Sequence, residues 1–345
     1  MIHRCILQAF ITVLFLCPSF VFSASGDSPC KIPGQFLNER PDPEGVPTRV
    51  KVGLYLVDIT EINSKKQIFT VDLALFLNWK DSRLTGDSSG ISFESCKLKP
   101  AQVWNPGVMF RNAMDIKRTF SSFKVDQTGT VTFMQRFYGD FSVPFDLKKF
   151  PFDTQILQIV VGNIDYGAGE LIFEVDEART GMGESLTPDW EIHSPTARVE
   201  IGKYRLDGLK RSMFLYEAKA HRDPNFYIWK VFFPMMLIVF MSWAVFWINP
   251  EPIAPRISLS LISMLNIIAY NFAISMFIPR ISYLTLADKY ILGCLVIVFF
   301  TLVVGISSSI LATRGNKALA KRIDKISRWA APAIFLLLTG FAAMA

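Results

Sequence analysis

Ile257 to Ile278 is an uncharged run of 22 residues, the second of four long apolar stretches in the later part of the chain. At about 1.5 Å of rise per residue it can cross a hydrocarbon layer of about 30 Å. Its composition is unsuited to a helix surrounded by lipid, because Ser258, Ser260, Ser263, Asn266, Asn271 and Ser275 are scattered through it. At helical spacing one stripe reads Ser258, Ile262, Leu265, Ala269, Phe272, Met276. Two readings of these residues stand side by side. A helix packed among other helices would use its Ser and Asn side chains to bond across the contacts. A helix lining a gated aqueous path would admit water at its polar end, and its apolar rings would dewet to close it.

The surrounding topology bounds the choice. His3 and Arg4 precede an apolar segment from Ile6 to Cys17, and Val21-Phe22-Ser23 offers a cleavage site, so residues 1–24 are expected to be a signal peptide. Residues 25–47, with Pro29, Pro33, Pro41, Pro43 and Pro47, are expected to form a Pro-rich arm. Residues 48–225 mix charge with short apolar runs, and residues 226–345 hold helices expected over about 226–248, 256–278, 287–313 and 326–345. Arg314, Lys317, Lys321, Arg322, Lys325 and Arg328, interrupted only by Asp324, are read as a basic linker between the third and fourth spans. That linker belongs on the cytoplasmic side, which agrees with the signal peptide in sending the first part of the chain outward. The net charge of +6 needs no nucleic acid, since anionic membrane lipids suffice as a partner for this segment.

The outward part reads as β-structure. Val50, Val52, Leu54 and Leu56 alternate with polar or small residues, and so do Phe69, Val71, Leu73, Leu75 and Leu77 ahead of Trp79. Gln127-Thr128-Gly129-Thr130 is a turn signal between candidate strands Thr119–Val125 and Val131–Phe137. Ile156 to Val161 and Leu171 to Val175 follow, then a hairpin across Arg205–Ser212. Short strands at this spacing indicate an all-β sandwich of the Ig-like kind. Cys30 and Cys96 could pair in an oxidising compartment or stay apart, and the spacing does not decide it. No enzyme is expected: the three histidines have no Cys partners at metal spacing, and neither a phosphate loop nor a nucleophile motif is present. No cofactor or metal is expected either.

Five landmarks occur in order ahead of the spans and within them. They are Trp79-Lys80-Asp81-Ser82-Arg83-Leu84, Val103-Trp104-Asn105-Pro106, Phe150-Pro151-Phe152-Asp153-Thr154-Gln155, Arg222 twelve residues before Pro234, and Pro279-Arg280 with Tyr283 after the second span. Together they resemble the pentameric ligand-gated ion channels, or Cys-loop receptors, from about residue 48 onward. The family's disulfide loop would run from near Val143 to Leu157, and neither is Cys. The resemblance is therefore to the bacterial branch that lacks this disulfide, which implies an inner-membrane, multi-pass homopentamer with a periplasmic sandwich.

The resemblance also implies roles. Ser258, Ile262, Leu265, Ala269, Phe272 and Met276 would line the pore, with Leu265 as the main apolar ring. Glu251, Ala254 and Pro255 would set selectivity, leaning towards small monovalent cations, while Arg256 turns away to lipid headgroups. Ala254-Pro255-Arg256 is similar to the Pro-Ala-Arg order of anion channels with two residues exchanged, so an anion channel stays an alternative, as does a periplasmic sensor that conducts nothing. Asp153, Arg222, Pro279, Arg280 and Tyr283 would couple the sandwich to the membrane. Phe110, Arg111, Tyr166 and Tyr204 would face a small-molecule agonist, and the Arg would either favour a carboxylate over an amine or pair with a neighbouring acid and bind nothing. Protons are the other expected stimulus, although Gln67 and Ile267 stand where acid-sensing relatives carry a carboxylate and a histidine.

Overall fold

The computed structural model describes residues 39–42, 44–85, 100–183, 187–204, 208–276 and 281–344. The expected signal peptide, most of the Pro-rich arm, Cys30, Cys96, Pro279 and Arg280 lie outside the described residues.

Two sheets face each other. The first contains β1 (Thr48–Asn63), β2 (Ile68–Lys80), β4 (Ala113–Val125), β5 (Thr130–Ser142), β7 (Leu171–Val175) and the short β8 (Gly181–Met182). Its order is β4-β5-β2-β1-β7, with β7 and β8 parallel to β1 and the other pairs antiparallel. The second contains β3 (Val108–Phe110), β6 (Thr154–Asn163), β9 (Trp190–Ile192), β10 (Thr196–Lys203) and β11 (Lys210–Arg222), ordered β10-β11-β6-β3 with β9 beside β11.

The period-two pattern explains the inner faces. Phe69, Val71, Leu73, Leu75, Leu77 and Trp79 of β2 are all buried, as are Val50, Val52, Leu54 and Leu56 of β1. Trp104 packs edge-on against Trp79 at 5.8 Å and donates its indole N–H to the Tyr166 hydroxyl at 2.9 Å. At the β4–β5 turn the Asp126 carboxylate accepts from the backbone N–H groups of Thr128 and Thr130, and Gly129 takes the positive φ of +78° that the tight turn requires.

Four helices follow: α1 (Asn225–Trp247), α2 (Ile253–Ser275), α3 (Leu286–Thr313) and α4 (Lys317–Met344). The first three are long and apolar enough to cross a membrane. The opening turn of α1 relaxes into a π-turn over Ile228–Phe232 just ahead of Pro234. Proline supplies no N–H and crowds the carbonyl four residues back, so the chain widens there.

The basic linker expected between the third and fourth spans is largely absent as a linker. Gly315, at φ +92°, closes α3 with its N–H on the Ala312 carbonyl, and the Asn316 N–H bonds the Leu311 carbonyl. Helix α4 then starts at Lys317, so Lys317, Lys321, Arg322, Lys325 and Arg328 are helical. Lys, Arg and Ala are strong helix formers, and charge on one face does not oppose a helix whose other face is buried.

Candidate functional site

Helix α2 has two faces within the chain. Arg256, Ser260, Ser263, Ile267 and Ile274 are buried against the other helices, at spacings of three, four and seven. The opposite stripe, Ser258, Ile262, Leu265, Ala269, Phe272 and Met276, is exposed along its whole length. Leu265, Phe272 and Met276 are each about two-thirds exposed. The polar residues split between the faces: Ser263 returns its hydroxyl to the Leu259 carbonyl on the buried side, while Ser258 stays on the open side.

At the start of α2, Ala254 and Pro255 lie in the exposed first turn, where proline is tolerated because the first N–H groups have no helical acceptor. Glu251 precedes them and forms an exposed ion pair with Lys317 of α4. The Lys317 ammonium holds the Glu251 carboxyl below its ordinary range. Arg256 does turn from the stripe, but it does not reach towards lipid headgroups. Its guanidinium is buried, donating to Asp324 Oδ1 at 3.1 Å and Oδ2 at 2.6 Å and to the carbonyl of Ile248. A carboxylate and a carbonyl within reach satisfy the fork better than snorkelling would.

At the other end of the bundle the β5–β6 loop sits on the helices. Arg222, at the end of β11, grips Asp153 with two hydrogen bonds of 2.8 and 3.1 Å and also donates to the Ser64 hydroxyl. Both partners are nearly inaccessible, at 6% and 2% exposure. Trp190 and Phe150 lie 4.1 and 4.9 Å from the same guanidinium. Gln155 bonds Asp153 and both the N–H and carbonyl of Asp146, which fixes the loop. The Phe150–Pro151 bond is cis.

From that loop, the Lys148 and Phe150 carbonyls accept from the Leu286 and Ala287 N–H groups, the otherwise unpaired donors that open α3. The Tyr283 hydroxyl accepts from the Leu147 N–H at 3.1 Å. The Lys65 ammonium, between β1 and β2, reaches the Met276 carbonyl at 3.3 Å. The sandwich therefore touches both the end of α2 and the start of α3.

The expected binding cleft is only partly assembled. Phe110 is buried, edge-on to Phe137 at 5.1 Å and Phe141 at 5.3 Å, and belongs to the sandwich core rather than to a cleft. It alternates with its neighbours in β3, and the apolar side falls inward. The Tyr166 hydroxyl accepts from the Trp104 indole N–H. Arg111 and Arg211 lie 4.7 and 5.0 Å from the Tyr204 ring, and Arg211 donates to the Ile164 carbonyl. Gly162 leaves space beneath the Arg111 stem, since a Cβ there would sit 3.0 Å from Arg111 Cδ.

Residues 37–216 match the family model of the neurotransmitter-gated ion-channel ligand binding domain, and residues 231–317 match that of the neurotransmitter-gated ion-channel transmembrane region. The chain belongs to the pentameric ligand-gated ion channels. Among the relatives of this channel chain is a proton-gated ion channel of Gloeobacter violaceus, 28% identical over 311 residues, which cover 88% of this chain and 85% of that one. A gamma-aminobutyric acid receptor subunit beta-4 of Gallus gallus is 24% identical over 86% of this chain and 62% of its own length. A glycine receptor subunit beta of Rattus norvegicus is 26% identical over 76% of this chain and 55% of its own. The chain is thus a membrane protein of a family whose members are channels.

Several contacts of this channel chain escaped the sequence reading. Thr285-x-x-Asp288 is a visible capping-box pattern, and its two reciprocal bonds start α3 where the loop carbonyls arrive. Asp324 stood out as the one acid in a basic run, but its partner lies 68 residues away. Lys65 carried no local signal at all.

Proposed function

We propose that this chain assembles as a homopentamer in a cell inner membrane, with the sandwich in the periplasm and all four helices spanning. Small monovalent cations pass along a central path lined by α2. The observation that carries this reading is the open stripe of α2. Ser258, Asn266, Asn271 and Ser275 are exposed on the same side of the chain as Leu265, which suits water or protein better than lipid, and further copies around an axis enclose that face by cyclic closure. Five Leu265 side chains then exclude water until the helices tilt.

The cation preference rests on charge placement. Arg256 is paired and buried away from the stripe, whereas Glu251, although paired with Lys317, is exposed to water just before it. The stimulus is a small-molecule agonist or protons acting on the sandwich. For an organic agonist, Arg111 beside Tyr204 favours a carboxylate group. The push travels through the Asp153–Arg222 loop to Tyr283 and the start of α3, with Pro279 and Arg280 in the connecting segment.

The test is current from cells expressing the chain, with pH stepped from 5 to 9 and reversal read under a sodium chloride gradient. Reversal near the sodium potential is expected. Reversal near the chloride potential would make it an anion channel, and surface protein without current under any pH or carboxylate ligand would leave a non-conducting sensor.

A further inference from the structure

The inner end of α2 carries a charge that the ion path does not see. Arg256 is 1% exposed, and a guanidinium stays charged at any pH a protein meets. Four hydrogen bonds hold it, two to the Asp324 carboxylate and two to the Ile248 carbonyl at the end of α1. Ala254 and Pro255, two and one residues earlier, are exposed and continue the Ser258 stripe inward by helical spacing. The Arg256 side chain is therefore a short arc from the mouth and is directed away from it.

Helix α4 is built for this contact. Lys321, Arg322 and Lys325 are exposed, whereas Asp324 is 2% exposed on a buried stripe with Ala320, Ser327, Ala331 and Phe335. The single acid of the basic segment is turned inward and bonded to the pore helix. Arg328 of the same helix donates to the Phe246 carbonyl, so the end of α1 is held beside the pair.

We propose that Asp324 is a specificity-determining residue: it positions Arg256 off the axis and so keeps the inner mouth from becoming a ring of positive charge. This rests on the channel reading above. Removing the carboxylate leaves a buried cation without its partner, which such a group does not tolerate. Its long stem lets the guanidinium swing to water, and Ala254 and Pro255 leave the mouth open to it. A ring of cations there raises local chloride and repels sodium.

The experiment is a charge cycle read as reversal potential under a sodium chloride gradient, with surface labelling of each variant. Asp324→Asn is expected to shift the sodium-to-chloride permeability ratio about tenfold towards chloride. Arg256→Gln, which leaves Asp324 unpaired, should shift it towards sodium. The double variant Arg256→Gln/Asp324→Asn should return to the wild-type ratio, and Asp324→Glu should keep it. A purely structural role would lower surface protein or current in all of them without opposite shifts. If Asp324→Asn does not reach the surface, the opposite shift of Arg256→Gln and its reversal in the double variant still decide. Wild-type current with no shift in either single variant overturns the inference alone. Surface wild-type protein without current overturns the channel reading and this inference with it.

Discussion

At the scale of single residues, the Asp153–Arg222 pair is, with Arg256–Asp324, a buried ion pair that tolerates little change. Two buried charges are stable only while each is fully partnered, and losing one partner costs about 3–5 kcal/mol. Asp153→Asn should therefore lower the thermal midpoint of the purified protein and abolish the response to stimulus. The exchange Asp153→Arg/Arg222→Asp should restore it only partly, because Trp190 and Phe150 are placed around a guanidinium at position 222. Arg222→Lys should likewise fall short, since an ammonium cannot reproduce the two-pronged bond. Leu265→Ser is argued from water rather than charge. A hydroxyl ring wets more readily than a Leu ring, so leak current and sensitivity should both rise, and unchanged leak would remove Leu265 as the gate. Glu251 bears on pH. Lys317 depresses its carboxyl below the ordinary value, so it is ionised from pH 5 to 9. Any stabilisation from that pair is present above the unfolded-state value and fades only as pH falls through the lower folded one. Glu251→Gln should lower cation conductance and leave the pH response over that range unchanged.

At the scale of elements, α1 shows how a helix carries a proline without breaking. Pro234 cannot donate to the Lys230 carbonyl, and the π-turn redistributes the neighbouring bonds. A hydroxyl from another helix serves the freed acceptor: Tyr270 of α2 donates to the Lys230 carbonyl at 3.4 Å, and Tyr290 of α3 donates to the nearby Phe232 carbonyl at 3.0 Å. Tyr290→Phe should cost about 1 kcal/mol, seen as a lower unfolding midpoint in detergent, with helix content unchanged. Helix α3 is likewise completed from outside its own sequence, by the Lys148 and Phe150 carbonyls of the β5–β6 loop. A rigid bond network between a loop and a helix start is suited to passing a displacement on, because neither side can yield separately.

At the scale of the whole molecule, the bundle exposes apolar side chains on α1, α3 and α4, such as Leu237, Phe299 and Leu337, and on α2 a face that mixes apolar with polar ones. The buried stripe of α2 faces α1 and α3, and in the proposed assembly the exposed one faces other copies. Native mass measurement in detergent should return five chains. Cysteine substitution from Ser258 to Met276, probed with a water-soluble thiol reagent, should give reaction at 258, 262, 265, 269, 272 and 276 and protection at 260, 263, 267 and 274. A pattern without that period would place α2 away from water.

The sequence by itself determined the period-two strands, the apolar spans, the stripe on α2 and the resemblance to a channel family. Each of these is written in neighbouring residues: alternation selects a sheet face, and steps of three and four select a helix face. What only the tertiary structure decided are the pairings across long gaps. Phe110 looked available for a ligand until the sheets closed over it. Lys317 to Arg328 looked like a linker until one face of that segment had a bundle to pack on. Arg256 looked bound for the membrane surface until Asp324 arrived from a helix 68 residues on. A side chain's partner depends on which elements meet, and no spacing in one chain records a contact made by folding.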